Sequence, residues 1–438
     1  MKSLPLFLLG SLLLAASEPD WARLEPYAVD LLQRYLRIQS VNPPADTREA
    51  ARLFQQELEK NGIQPRLFES GPDGKTNLLA RLAGRDRTKK PLLLLNHFDV
   101  VPVDRKAWKL DPFGGLLRDG MIWGRGAMDM KGIGIQHLAA LIALRQAGVT
   151  PSRDIVMLST ADEESNGVYG IQWMIKNHFP EIDAAYVLDE GGFGTRDILA
   201  PGKLVFGVAV GEKQVTWLRV RATGVAGHGS QPIPDNANLT LLRALERAMA
   251  APDNARPHPV IQQMIRNIGA PLAPNKYTSA IQRNTISLTT LAAGVGSPVK
   301  VNVIPSSSEA SLDCRLLPGV NAQEFVSEMR ARINDPRVTL ELLNTPDDPG
   351  VSDHRTPLFE AIRRAIRKHH PDAIVTPMLV PHGTDSVKLR TKGLLAYGLT
   401  PMVLDLATAS MHTDDERIPV VEFVKGLRIF YDVLVSDF

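Results

Sequence analysis

Apolar residues recur at helical spacing twice before any strand pattern begins. Over residues 23–37 the apolar face is Leu24, Ala28, Leu31, Leu32, Tyr35 and Leu36, and over residues 48–60 it is Ala51, Leu53, Phe54 and Leu58, with Asn61-Gly62 as a stop. Helices are therefore predicted ahead of the first sheet. Residues 76–82 and 91–101 read as strands, the second with the consecutive leucines Leu92, Leu93, Leu94 and Leu95 of a strand covered on both faces. A helix follows over 132–146, closed by Ala147-Gly148, then a strand over 154–160, a helix over 169–177 and a strand over 184–188. This alternation predicts an α/β domain whose functional groups gather at strand C-termini.

From about residue 204 the rhythm changes to longer alternating strands, at 215–222, 285–291, 308–316 and 338–343, with helices at 236–250 and 323–333. A small α+β domain inserted into the first accounts for that change. The less regular stretch 252–283, with Ile261, Met264 and Ile265, reads either as a helix packed on the inserted domain or as a hydrophobic entrance for acyl chains. The first domain resumes with a helix at 357–369, a strand at 373–380, a loop at 381–386 and a helix at 419–434. The expected division is 1–17 as a leader, 18–203 with 345–438 as the main domain, and 204–344 as the insertion.

At 438 residues and 44% hydrophobic, the chain can bury two cores. Its 50 basic and 48 acidic residues leave a net charge of +2, so no basic stripe recommends nucleic acid as a partner. The basic run at 85–90 reads as a solvated turn. Met1-Lys2, an apolar run over 4–16 and small residues before Glu18 read as a signal peptide, too short to span a bilayer. Export to a periplasm or the outside is the expectation, and without a cysteine after the run there is no stable membrane anchor. The single cysteine, Cys314, excludes an intrachain disulfide and sits in a strand pattern as a structural thiol.

Candidate chemistry begins at His97. Asp99 lies two residues on, so both side chains would point to one side of a strand, and the carboxylate could fix the ring tautomer while the other nitrogen binds a metal. Asp129 follows Gly124-Arg125-Gly126 at a helix start, where it could ligate or merely cap. Glu163 and Glu164, preceded by Asp162, are adjacent acids at the end of an apolar strand and repel unless cations or protons neutralise them. Asp189-Glu190 repeats the pattern, and His412 adds a second imidazole. Such a set suits a pair of Zn²⁺ ions, with Co²⁺ or Mn²⁺ as alternatives.

Taken in order, His97-Phe98-Asp99-Val100-Val101-Pro102, Gly124-Arg125-Gly126-Ala127-Met128-Asp129-Met130-Lys131-Gly132, Asp162-Glu163-Glu164-Ser165, Leu188-Asp189-Glu190-Gly191, Gly227-His228-Gly229-Ser230 and Val301-Asn302-Val303-Ile304-Pro305 resemble the motifs of the M20 metallopeptidase family. The resemblance covers essentially the whole chain after the leader. It is greatest to the branch holding aminoacylase-1, carboxypeptidase S and the N-fatty-acyl-amino-acid hydrolases. It implies a zinc-exopeptidase-like catalytic domain with an inserted α+β lid that also serves dimerisation.

By position, the resemblance implies His97 and Asp189 on one zinc, Glu164 and His412 on the other, and Asp129 bridging. Asp189 is preferred to Glu190, since neighbours on an extended strand point opposite ways and only one can ligate well. Glu163 would be the general base and Asp99 would orient His97. His228 would reach the oxyanion of the other subunit's site, Asn302 and Arg315 would meet the substrate, and residues 383–386 would form a substrate-side loop. Arg315 suits a carboxylate, whereas His382 reads as a local residue.

The expected function is an exported dizinc hydrolase that cleaves an amide next to a free carboxylate, in a peptide or an N-acyl amino acid. An aminopeptidase or dipeptidase of the same fold is the alternative. A non-catalytic binding protein on this scaffold would lack a ligand or the base, and none is lacking here.

Overall fold

A strand with no polar face has to be covered on both sides, and Leu92–His97 is buried at every position. In the computed structural model, which describes residues 18–250, 257–348, 350–405 and 411–438, this strand lies inside an eight-stranded sheet. The leader proposed over 1–17 falls outside the described residues. The strand order is Pro65–Glu69, Thr76–Leu82, Ile155–Thr160, Leu92–His97, Tyr186–Thr195, Leu395–Val403, Val205–Glu212 and Ile374–Val380. Leu92–His97 runs parallel to both neighbours, so the chain leaves those strands at one edge of the sheet. The acidic motifs are delivered there.

The helix Gly132–Gln146 is buried almost all round and packs against Val420–Leu434, with the Gln136 side chain donating to the Phe423 carbonyl at 2.8 Å. The early helices Trp21–Arg37 and Arg48–Lys60 bring Tyr35 and Phe54 edge-on to each other at 5.2 Å. Phe98 meets Phe54 at 5.1 Å, so the residue after His97 is wedged into the main core.

A second, four-stranded antiparallel sheet has the order Thr285–Ala292, Ser307–Leu316, Gln214–Thr223, Val338–Leu342. Helices Ala237–Met249 and Ala322–Ile333 cover it, and Leu218, Leu241, Leu312, Phe325 and Met329 share its own core. Cys314 is buried there, its thiol pushed up to about 12 by that burial, as befits a structural residue.

The boundaries differ from the expected division. Val205–Glu212 is buried at every position and pairs in parallel with Ile374–Val380, so the main sheet extends past 203 and the second unit starts at Gln214. The helix Pro259–Ile268 packs on Ile374–Val380, not on the second unit, and Asn267 donates to the Thr376 hydroxyl at 3.0 Å. Its Val260, Ile261, Met264 and Ile268 join the main core, so this helix is not packed on the second unit and those side chains line no entrance. Among the described residues no helix is long and apolar enough to cross a membrane.

Candidate metal centre and its cleft

His97 ends its strand at the sheet edge, 2% exposed. Its Nδ1 lies 2.9 Å from the Asp99 backbone carbonyl, which makes Nδ1–H the donor there and turns Nε2 towards Asp129 as the nitrogen that could meet a metal ion. The expected contact with the Asp99 carboxylate is the longer one, 3.5 Å. Asp99 acts elsewhere: its Oδ1 and Oδ2 accept the backbone N–H groups of Glu163 and Glu164, each at 3.1 Å, and Asn42 donates to Oδ2 at 2.7 Å. The carboxylate therefore clamps the turn that displays the two glutamates. Asp162 enters that turn in the left-handed region, with φ of 73°.

Asp129 is presented by residues 124–130, and Glu416 holds that loop from inside. Glu416 accepts from the Arg125 guanidinium at 2.7 Å and from the N–H groups of Gly126, Met128 and Asp129 at 3.0, 2.7 and 3.1 Å. Gly126 is needed on two counts, a φ of 89° and the 2.7 Å at which a Cβ would meet Val100. Replacing Glu416 by Ala is expected to strand a buried guanidinium and three N–H groups, costing about 3–5 kcal/mol of stability and lowering metal affinity roughly 10- to 100-fold. Thermal melting and a chelator competition titration would check both.

The side chains converge. His97 Nε2 is 3.1 Å from Asp129 Oδ1, 3.6 Å from Glu190 and 4.0 Å from Glu163. His412 Nε2 is 3.0 Å from Asp129 Oδ2 and 3.4 Å from Glu164. Asp129 thus turns one oxygen to each imidazole, the disposition of a carboxylate shared by two cations. Two overlapping sets, His97 with Asp129 and Glu164, and His97 with Glu163 and Glu190, have ligand atoms within 4.8 Å of one another.

In this geometry Glu190, the alternative to Asp189, is the one that faces the cluster. Asp189 Oδ2 accepts from the Ser386 N–H at 3.1 Å and its hydroxyl at 2.7 Å, while Glu190, its neighbour on the strand, turns towards His97. Glu416 and Asn42 are the site residues that sequence reading missed.

Crowding without counter-ions leaves its mark on the acids. Burial first, then neighbouring charge, pushes Glu163 and Glu190 well above the usual carboxylate range, raises Glu164, and lifts Asp189 to about 6. Burial would lower His97, yet hydrogen bonds to Asp129, Asp99 and Glu190 carry it well above its ordinary value. His412 rises to about 10 through Asp129 and Glu164. Asp129 would be raised by burial, and the imidazoles of His412 and His97 hold it low instead. Among the described residues Glu164 Oε1 is buried with no hydrogen-bond partner. An orphaned carboxylate oxygen amid nitrogen and oxygen donors fits metal ions as the missing partners.

A cleft of about 820 Å³ opens from this cluster, lined by Glu163, Glu164 and His412 together with Lys213, Arg315 and His382. Arg315 is thus brought to the site. Its Nε and Nη2 donate to Asp313 at 2.7 and 3.0 Å. His228 and Asn302 are not brought there: Gly227–His228 pairs with Val303–Ile304 on an exposed part of the second unit, where His228 bonds Ser230 at 2.7 Å.

A buried imidazole, a second, half-exposed one and the carboxylates between them, at the edge of a mixed α/β sheet beside an open cleft, are the donor set of a metallohydrolase. Residues 93–436 match the model of peptidase family M20/M25/M40, and the chain belongs to that family. It is 30% identical to the aminoacylase-1 of Sus scrofa, over 93% of this chain and 94% of that one. It is 27% identical to human N-fatty-acyl-amino acid synthase/hydrolase PM20D1, over 81% and 76% of the two chains. The fold matches that of an M20 family metallo-carboxypeptidase, Sso-CP2, from Sulfolobus solfataricus, with a TM-score of 0.72 at 17% identity, covering 94% of this chain and 98% of that one. The protein is accordingly a hydrolase of amide or peptide bonds in a metal-dependent, typically dinuclear family.

Proposed function

We propose that this protein is a dizinc hydrolase that cleaves an amide next to a free carboxylate, in an N-acyl amino acid or at a peptide C-terminus. The observation that supports this reading is that Glu163 and Arg315 line the same cleft. His97 and Glu190 would hold one ion, Glu164 and His412 the other, and Asp129 both. When bound, such ions supply Lewis-acid polarisation and make water acidic near neutral pH. The Glu163 carboxylate, with no hydrogen bond to a side chain among the described residues, would take the proton of the attacking water and return it to the leaving amine. Arg315 keeps its end-on N–H edge for the substrate carboxylate.

The reading includes a homodimer formed through the second unit. Thr285–Ala292 is an edge strand whose Leu288 and Leu291 are 41% and 54% exposed, which supports strand pairing with a second copy. His228, exposed and remote from its own cleft, would then act in the partner's site. The apolar run over 4–16 supports export.

The test is hydrolysis of N-acetyl-L-amino acids and dipeptides, each with a free or an amidated C-terminus, by zinc-loaded protein. Amidation is expected to lower kcat/KM by roughly 100-fold or more, because it removes the charge that the free edge of Arg315 would meet. Indifference to the block, with dependence on a free amine, would reverse the proposed orientation and favour an aminopeptidase.

A further inference from the structure

We propose that His382 is a substrate-binding residue of this cleft, donating a hydrogen bond to the substrate carboxylate beside Arg315. This rests on the reading of the cleft as a site for an amide next to a free carboxylate.

His382 lines the cleft, yet its Nε2 is buried with no hydrogen-bond partner among the described residues. The groups whose charge bears on it are Asp129 and His412 of the metal cluster, Glu212 of the main sheet, and Arg315. The imidazole is therefore within electrostatic reach of both the cluster that would attack the amide and the guanidinium that would hold the carboxylate. Burial disfavours its charged form, so the ring is neutral near pH 7 and carries one N–H to donate.

Arg315 needs such a helper. Its side-on edge is closed on Asp313 in a bidentate pair, so the two together are close to neutral. Behind it, the buried Lys213 ammonium donates to the Ala280 carbonyl at 2.9 Å and the Thr285 hydroxyl at 2.8 Å, both neutral acceptors. A carboxylate that meets the end-on edge of Arg315 is left with lone pairs to satisfy. The loop that carries His382 is fixed against this wall: Thr384 donates to Glu212 at 3.0 Å, and the Lys213 N–H donates to the Val380 carbonyl at 3.1 Å. An unpartnered imidazole held this way is preorganised for a ligand and not for the fold.

Three proteins, wild type, His382→Phe and His382→Gln, would be compared on N-acetyl-L-methionine and N-acetyl-L-methioninamide. His382→Phe keeps a ring and removes the donor; it is expected to raise KM for the free acid roughly 10- to 100-fold, with kcat changed less. Its loss on the amide, whose uncharged carbonyl accepts a weaker hydrogen bond, should be smaller, so most of the preference for the free acid is lost. His382→Gln, which keeps a donor, should recover part of it. Because the ring makes no hydrogen bond through Nε2 to the protein, melting temperature and zinc content should not move. Equal losses on both substrates would overturn the proposal in favour of a contact with the scissile carbonyl, and a loss that tracks a lowered melting temperature would make His382 structural. If wild type itself fails to discriminate the two substrates, the carboxylate reading of the cleft falls. If wild type discriminates and His382→Phe still does, only the role of His382 falls.

Discussion

Replacing Glu163 by Gln or Ala is expected to reduce kcat by about 10³-fold or more while leaving zinc content near that of the wild type. Glu163 forms no close ion pair that the fold would miss; its nearest cationic neighbour is His97 Nε2 at 4.0 Å. It is also one of several acids that burial has pushed well above the carboxylate range, so in the metal-free protein its ionised form is a cost. The substitution should therefore leave the melting temperature of the metal-free protein equal to wild type or higher. Steady-state kinetics, metal analysis and melting on one preparation separate these effects. Retained hydrolysis would remove Glu163 from the role of proton carrier.

Stripping the metal is expected to make stability fall as pH rises. Burial lifts Asp189 to about 6 and Asp385 to about 7, and carries Glu163 and Glu190 well above their ordinary values. The folded metal-free chain thus holds protons that the unfolded chain has already released above the usual carboxylate range. The stability linked to each is present in full at lower pH and is lost as pH climbs through the folded value. His412, raised to about 10 by Asp129 and Glu164, has the same sign over a higher window. Asp129 is held low and has the opposite sign, but its window lies below the ordinary Asp value and leaves the range above pH 5 unaffected. Metal ions replace these protons, so the gap in melting temperature between zinc-loaded and stripped protein should widen by several degrees from pH 5 to pH 8. A stripped protein more stable at pH 8 than at pH 5 would contradict the crowding of acids at this site.

Much of the architecture is legible where one physical requirement dominates. The helices Arg48–Lys60, Gly132–Gln146 and Pro357–His369 begin and end where apolar periodicity and their stop signals place them. Leu92–His97 declares itself by having no polar face. The strands Val205–Glu212 and Leu395–Val403 escape a pattern reading, since short apolar runs rich in Gly and Ala carry neither clear alternation nor helical spacing. The segment around Pro259–Ile268 is legible as a helix, but which core receives it depends on tertiary packing.

The site divides along the same line. His97, Asp129, Glu163, Glu164 and His412 stand in recognisable motifs, and the fold brings them together. The choice between Asp189 and Glu190 depends on strand parity near an irregularity, because the pairing of Leu395–Val403 with this strand shifts register between Gly398 and Thr400. Glu416 carries no local signal: its Arg125 partner lies 291 residues away, and the last of three consecutive acids, Asp414-Asp415-Glu416, looks like part of a solvated turn. His228 and Asn302 are visible as motifs, yet pairing of Gly227–His228 with Val303–Ile304 keeps them on the exposed second unit.

The most direct test of the dinuclear assignment is to strip the protein of metal and titrate zinc back while following N-acetyl amino acid hydrolysis and bound metal together. The account predicts no turnover in the stripped protein, and activity that is restored in full only when two ions are bound per chain. Hydrolysis that survives complete stripping, or that saturates with a single bound ion, would contradict it.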